Sequence, residues 1–305
     1  MAHWVAEVVR RGTIEKALVF SSAMAQYLAE YPDLRRVIDF VDVDSDKWRQ
    51  YAEKKVWPAN WVYRREAETL LRYDREIAAS FDRSLFVSEA EAALFRQLAP
   101  ESGDRVEALE NGVDTDYFLK SGEYPNPYSA DALVLVFTGA MDYWANVDAV
   151  TWFSREVFPG IRGQCASAEF FIVGARPTEA VRALGQQEGI TVTGAVEDIR
   201  PFLKHAHLAV APLRIARGIQ NKVLEAMAMG KRILASPAAL EGIDGEPGLL
   251  DVTELEAAAD WCDCALRMLR DSGSSFQSDR NREFVERRYS WDSSLARLTS
   301  FMESS

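Results

Sequence analysis

Residues 211–230, APLRIARGIQNKVLEAMAMG, set two arginines, a glycine, a lysine and a glutamate between an apolar run and a terminal glycine. A helix that starts near Ile219 and is capped by Gly230 puts Lys222 and Glu225 on neighbouring positions of one face. Lys222 then lies near the positive end of that helix, where a cation gains nothing from the dipole. A bound phosphate explains why Arg214, Arg217 and Lys222 gather there, with Gly218, Gln220 and Asn221 between them. A surface pair of Lys222 with Glu225, beside solvated arginines, accounts for the same residues without a ligand.

Three further loops follow apolar runs. They are Thr138-Gly139-Ala140-Met141-Asp142-Tyr143, Val173-Gly174-Ala175-Arg176-Pro177 and Thr193-Gly194-Ala195-Val196-Glu197-Asp198. Each holds a glycine that lets backbone approach a ligand, and each is equally explained as a tight turn. Asp198 has the ordinary role of a helix N-cap open to it. A fifth loop, Asp42-Val43-Asp44-Ser45-Asp46-Lys47-Trp48, follows the run Arg36–Val41 and groups polar side chains at the carboxyl end of that run. Asp44 or Ser45 could equally cap the next helix. Asp42 and Asp44 form a D-x-D pattern, yet no metal is expected there.

Such loops need strands to hold them. Apolar runs at Ala17–Phe20, Arg36–Val41, Ser84–Val87, Arg105–Leu109, Leu133–Phe137, Glu169–Val173, Ile190–Thr193, Leu208–Ala211 and Arg232–Ala235 read as strands. Helical periods lie between them: 2–10, about 46–79 with a break at Trp57-Pro58, 89–97, 147–157, 178–187, 198–205 and 221–228, then 254–270, 277–288 and 291–302. This alternation predicts an α/β fold with parallel sheets, whose ligands sit beyond the carboxyl ends of the strands. Residues 119–132, rich in Pro, Ser, Gly and Asn, read as a linker. The expected domains are 1–118 and 133–272, followed by helices at 273–305 that return to the first domain.

At 305 residues the chain suggests two domains of about 150 residues each. Its net charge of −12 argues against a nucleic-acid partner. No apolar run is long enough to span a membrane, and the N-terminus lacks the pattern of a secretory signal. Cys165, Cys262 and Cys264 read as free thiols, and the expected location is the cytoplasm.

The stretch RIARGIQNKVLEAMAMGKRILAS resembles the donor-site helix of retaining family-4 glycosyltransferases with the GT-B fold. Asn111-Gly112-Val113-Asp114 with Tyr117-Phe118, Phe86-Val87-Ser88-Glu89, FFIVG and VTGAVEDIRPFLKHAHLAVAPLR resemble further segments of that family in the same order. Asp39–Trp48, Tyr63-Arg64-Arg65-Glu66 and Met141-Asp142-Tyr143 resemble sugar transferases associated with PEP-CTERM/exosortase exopolysaccharide clusters. The resemblance implies two Rossmann-like domains that bind a nucleotide sugar. The sugar would pass, with retention, to a glycan or lipid-linked acceptor in exopolysaccharide biosynthesis. Glu225 would take the donor ribose hydroxyls. Lys222 and the loop with Gln220, Asn221 and Gly218 would hold the diphosphate. Gly139 and Ala140 would line the leaving group, and Gly174 with Gly194 and Val196 would flank the base. Asp42, Asp44, Ser45, Lys47 and Trp48 would face the acceptor, with Asp42 and Asp44 joining Lys222 and Glu225 in catalysis. No cofactor is implied beyond the donor itself.

Three departures stand out. Many relatives carry a glutamate eight residues before the one equivalent to Glu225, where this chain has Arg217. Many also carry an Arg and a Lys in the loop that here reads MDYWAN. Arg214, Arg217 and Lys222 would then meet the phosphate charge. The acceptor loop carries no histidine where many relatives have a His-Asp pair; His3, His205 and His207 lie elsewhere. The resemblance also places the first residue midway through the first domain, with roughly 90 residues of three βα units ahead of it. An open sheet edge there implies dimerisation through the first domain, and a lipid-linked acceptor implies a peripheral contact at the inner face of the membrane. The alternatives are a nucleotide-sugar-binding fragment without turnover and a GT-B epimerase.

Overall fold

A computed structural model describes residues 1–53, 56–216, 218–243, 251–271 and 277–303. The chain divides into two units, Met1–Asn111 with Ser294–Ser305, and Gly112–Ser293.

In the first unit, α1 (Ala2–Arg10), β1 (Lys16–Phe20), α2 (Ser22–Ala25), β2 (Arg35–Val41), α3 (Asp44–Glu53), α4 (Ala59–Ser80), β3 (Arg83–Phe86), α5 (Glu89–Leu98) and β4 (Val106–Ala108) follow in order. The strands form a parallel sheet in the order β1-β2-β3-β4. The helical period of residues 46–79 is split at Pro58, where the missing N–H and the fixed ring break the ladder. Ser88 caps α5, its Oγ accepting the Glu91 N–H. Phe40, Phe86 and Phe95 stack at centroid distances of 4.8–5.6 Å and anchor a core with Ile38, Ile77 and Phe81.

In the second unit, β5 (Leu133–Thr138), α6 (Trp144–Trp152), a π-turn (Phe153–Val157), α7 (Phe158–Gln164), β6 (Ala168–Val173), α8 (Glu179–Leu184), β7 (Ile190–Gly194), α9 (Arg200–His205), β8 (Leu208–Ala211), α10 (Asn221–Ala228), β9 (Ile233–Ala235), α11 (Pro237–Leu240), β10 (Val252–Glu254), α12 (Ala258–Arg270) and α13 (Asp279–Arg288) succeed one another. A last helix, α14 (Trp291–Glu303), begins in this unit and belongs to the first from Ser294 onward. There Arg297 donates to the Ala108 carbonyl at 2.7 Å, and the Phe301 carbonyl accepts from Arg35 at 2.9 Å.

The second sheet is parallel throughout, in the order β10-β9-β8-β5-β6-β7. Strand β8 is buried along its whole length and β5 from Val134 onward, which is why both read as unbroken apolar runs. Helix α6 starts three residues before its expected start, and Phe153–Val157 departs from the α pattern there. Strand β10 was not anticipated from the sequence. The order reverses between β5 and β8, so the crevice beyond their carboxyl ends is the topological switch point.

Buried Lys231 follows α10 and donates to the Lys204 and Ala206 carbonyls at 2.6 and 2.8 Å, closing the C-terminal end of α9. Burial and the nearby Lys204 and Lys120 push its ammonium down to about 7. Asn281 of α13, fully buried, donates to the Lys231 carbonyl at 2.7 Å and accepts the Asp251 N–H at 2.9 Å. The Ser278 N–H reaches the Gly230 carbonyl at 2.6 Å.

Candidate functional site

The loops after β5 and β8 meet at the switch point. Lys222, the second residue of α10, sends Nζ to Asn146 Oδ1 at 2.8 Å and lies 5.3 Å from the Phe137 ring centroid. Asn146, buried in the first turn of α6, donates through Nδ2 to the Ala140 carbonyl at 2.9 Å. One asparagine thus fixes both the lysine and the glycine loop. Burial draws the Lys222 ammonium down to about 8, while Glu225 partly opposes the shift. Burial also raises the Glu225 carboxyl, against the pull of Lys222. Desolvation therefore outweighs the mutual attraction of the two charges.

Glycine is required at two places here. A Cβ on Gly174 would fall 1.7 Å from the Gly139 carbonyl oxygen. A Cβ on Gly139 would fall 2.8 Å from Asn146 Nδ2 and 3.3 Å from Lys222 Cε. The ends of β5 and β6 are in backbone contact, and the Gly139 N–H donates to the Val173 carbonyl at 3.1 Å. The Met141 N–H continues the seam to the Ala175 carbonyl at 2.8 Å.

The other residues expected at the donor site divide. Gly139, Ala140 and Lys222 come together around Asn146. Gln220 holds its own loop, Nε2 donating to the Gly218 carbonyl at 3.0 Å, and Asn221 opens α10 at the surface. Gly194 ends β7 with a positive φ of 71°, and Val196 packs against the core of the unit. Arg214 turns to Asp148 of α6, Nε to Oδ2 at 2.9 Å, so a phosphate would have to compete for it. Arg217 lies outside the described residues. Asp198 accepts the Arg200 N–H at 2.8 Å and pairs with its guanidinium; the N-cap position expected for it falls instead to Ile199, one residue nearer α9. Asn146 and Asp148 escaped the sequence reading, because nothing in residues 141–148 shows that α10 and the loop before it lie against them.

In the first unit, Val41 ends β2 with a φ of +71°, a strained value for a β-branched residue, where the register against β3 shifts. The chain turns there into the Asp42–Trp48 loop. Lys47 Nζ bonds Asp42 Oδ2 at 2.7 Å and Asp44 Oδ1 at 3.0 Å. Asp44 is the first residue of α3, where a carboxylate suits the helix dipole. Ser45 is buried, and its Oγ has no partner among the described residues. Trp48 stacks on Tyr63 at 5.4 Å. Behind the loop, burial pushes the Asp74 carboxyl up to about 7, a Ser22 hydrogen bond opposing and the Asp44 charge adding to the rise.

Two parallel Rossmann-like units define the GT-B class of glycosyltransferase fold. Residues 132–271 match the family described as "Glycosyl transferases group 1". No curated protein matches the chain. Among solved structures, a glycosyltransferase from Rickettsia africae is 15% identical, with a TM-score of 0.67 over 100% of this chain and 81% of that one. Sucrose-phosphate synthase from Thermosynechococcus elongatus is 15% identical, with a TM-score of 0.65 over 94% of this chain and 72% of that one. Anabaena Alr3699/HepE in complex with UDP and glucose is 14% identical, with a TM-score of 0.64 over 99% and 81%.

Proposed function

We propose that the protein moves a sugar, with retention, from a nucleotide-sugar donor to a glycan or lipid-linked acceptor in exopolysaccharide biosynthesis. The observation that carries the donor site is Lys222, half-buried at the switch point beside Gly139 and aimed by Asn146. A cation held there before substrate arrives meets the charge that develops on a departing diphosphate without reorganising. Glu225, one turn on, supplies acceptors for the ribose hydroxyls. Catalysis on this reading comes from positioning and leaving-group stabilisation, with no enzyme nucleophile. Asp42, Asp44 and Lys47 serve the acceptor. The resemblance of residues 39–48, 63–66 and 141–143 supports the exopolysaccharide assignment. The UDP and glucose in Alr3699/HepE support UDP-sugars as the first donors to try. Association of two copies through the free edge of β1, where Leu18 and Phe20 are exposed, belongs to the same reading. A monodisperse monomer by light scattering would overturn that part.

The test is a thermal-shift screen of UDP-, GDP- and ADP-sugars against the whole chain, with Lys222→Ala and Glu225→Ala alongside. One nucleotide class should raise the melting temperature of the wild type and of neither variant. If no nucleotide stabilises the wild type, the donor-site assignment falls.

A further inference from the structure

The segment that brings Gly139 and Asn146 together carries two aromatic side chains that the reaction above leaves unused. Tyr143, 51% exposed, and Trp144, 54% exposed, stand at the start of α6. Their ring centroids are 6.0 Å apart and their planes tilt by 57°, giving a floor and a wall. Neither the Tyr143 hydroxyl nor the Trp144 indole N–H has a hydrogen-bond partner among the described residues. The backbone beneath the rings is pinned on both sides. Asp142 pairs with Arg176, Oδ1 accepting from Nη2 at 3.2 Å, and buried Asn146 bonds to Ala140 and Lys222. One turn along α6 from Trp144, Asp148 Oδ2 accepts from Arg214 Nε at 2.9 Å. Each aspartate near the rings is thus matched by an arginine, and the local charges cancel.

We infer that Tyr143 and Trp144, rimmed by Asp148 and Arg214, hold an uncharged pyranose ring of a glycan. A pyranose presents a face of C–H groups, which packs on an aromatic ring, and an edge of hydroxyls that both donate and accept. The rim offers partners of both kinds: carboxylate oxygens on Asp148, N–H groups on Arg214 and Trp144, and the Tyr143 hydroxyl. With the charges cancelled, nothing here draws in a phosphate or an anionic surface. A wholly apolar partner would bury the free hydroxyl and indole N–H unpaired. Arg214 gains a use on this assignment, since a guanidinium already tied to Asp148 suits a neutral hydroxyl better than a diphosphate. The ring's place as part of the acceptor glycan rests on the transfer reaction proposed above, whereas its binding needs no nucleotide.

The experiment is saturation-transfer NMR of the full chain with maltohexaose, cellohexaose and chitohexaose in turn, without nucleotide. At least one of them should take up saturation on its ring C–H protons. Trp144→Ala and Tyr143→Ala should each weaken that binding by roughly tenfold, and Arg214→Gln by roughly threefold to tenfold. Trp144→Phe should restore most of what Trp144→Ala loses, which separates stacking from damage to the fold. Trp4→Ser, at the exposed tryptophan of α1, should bind as wild type. No signal from any of the three oligosaccharides overturns the inference. So does unchanged binding by Trp144→Ala and Tyr143→Ala, an equal loss in Trp4→Ser, or ring-dependent binding of uridine in place of a glycan. Because no nucleotide sugar is present, this test can fail while the thermal-shift screen succeeds, and succeed while that screen fails.

Discussion

At the carboxyl end of the second sheet, Lys222 and Glu225 are drawn into the protein and burial pushes both towards their neutral forms. At the carboxyl end of the first sheet, Asp42, Asp44 and Lys47 remain largely at the surface and neutralise one another. Charges already paired in water add little and surrender little when a ligand arrives. A half-buried cation held by a neutral amide keeps its field for a ligand, at a cost in desolvation. On the proposed reading, the surface cluster recognises, whereas Lys222 commits in advance to a charge that is not yet there.

Substitutions can break this contrast, and the largest effect is expected at Gly174. Gly174→Ala would drive a methyl group into the Gly139 carbonyl, so the two loops must part. Chemical denaturation should show a loss of more than about 3 kcal/mol or no folded protein. Lys222→Ala should fold and weaken nucleotide-sugar binding by on the order of 100-fold by calorimetry. Asp44→Asn should leave nucleotide binding within about twofold, since its charge serves the other sheet. If Asp44→Asn matches Lys222→Ala, the two ends share one task.

The pH dependence sharpens the same point. Lys222 titrates near 8 in the folded chain against 10.5 ordinarily. Between these values the unfolded chain holds more protons, so the lysine makes stability rise with pH across that window. Lys222→Ala should lack that rise in urea titrations from about pH 8 to 10. Affinity for the donor diphosphate should run the other way and fall above about pH 8 as the cation is lost. The smallest effect is expected at the surface triad: Lys47→Ala should change stability by no more than about 0.5–1 kcal/mol.

Much of the second unit was legible because strands buried on both faces leave unbroken apolar runs, as in LVLVF and LAVA. Lys222 stood out through its position in a helix whose dipole does not favour it. The partner that aims it did not, because Asn146 is 76 residues away and asparagine has no periodicity to betray it. The pairing of Arg214 with Asp148 was hidden for the same reason. In the first unit the positive φ of Val41 ran against its residue type, since β-branched side chains disfavour that region. Such a conformation is imposed by the surrounding fold and leaves no local mark.

The stitch of Lys231 and Asn281 bears on where the chain can be cut. The family match ends at residue 271, yet α13 begins at Asp279 and grips the residues that follow α10 through Gly230 and Lys231. A fragment trimmed to the matched boundary would lose the backstop of the helix that carries Lys222. A donor-binding fragment designed from this chain should extend through Arg288.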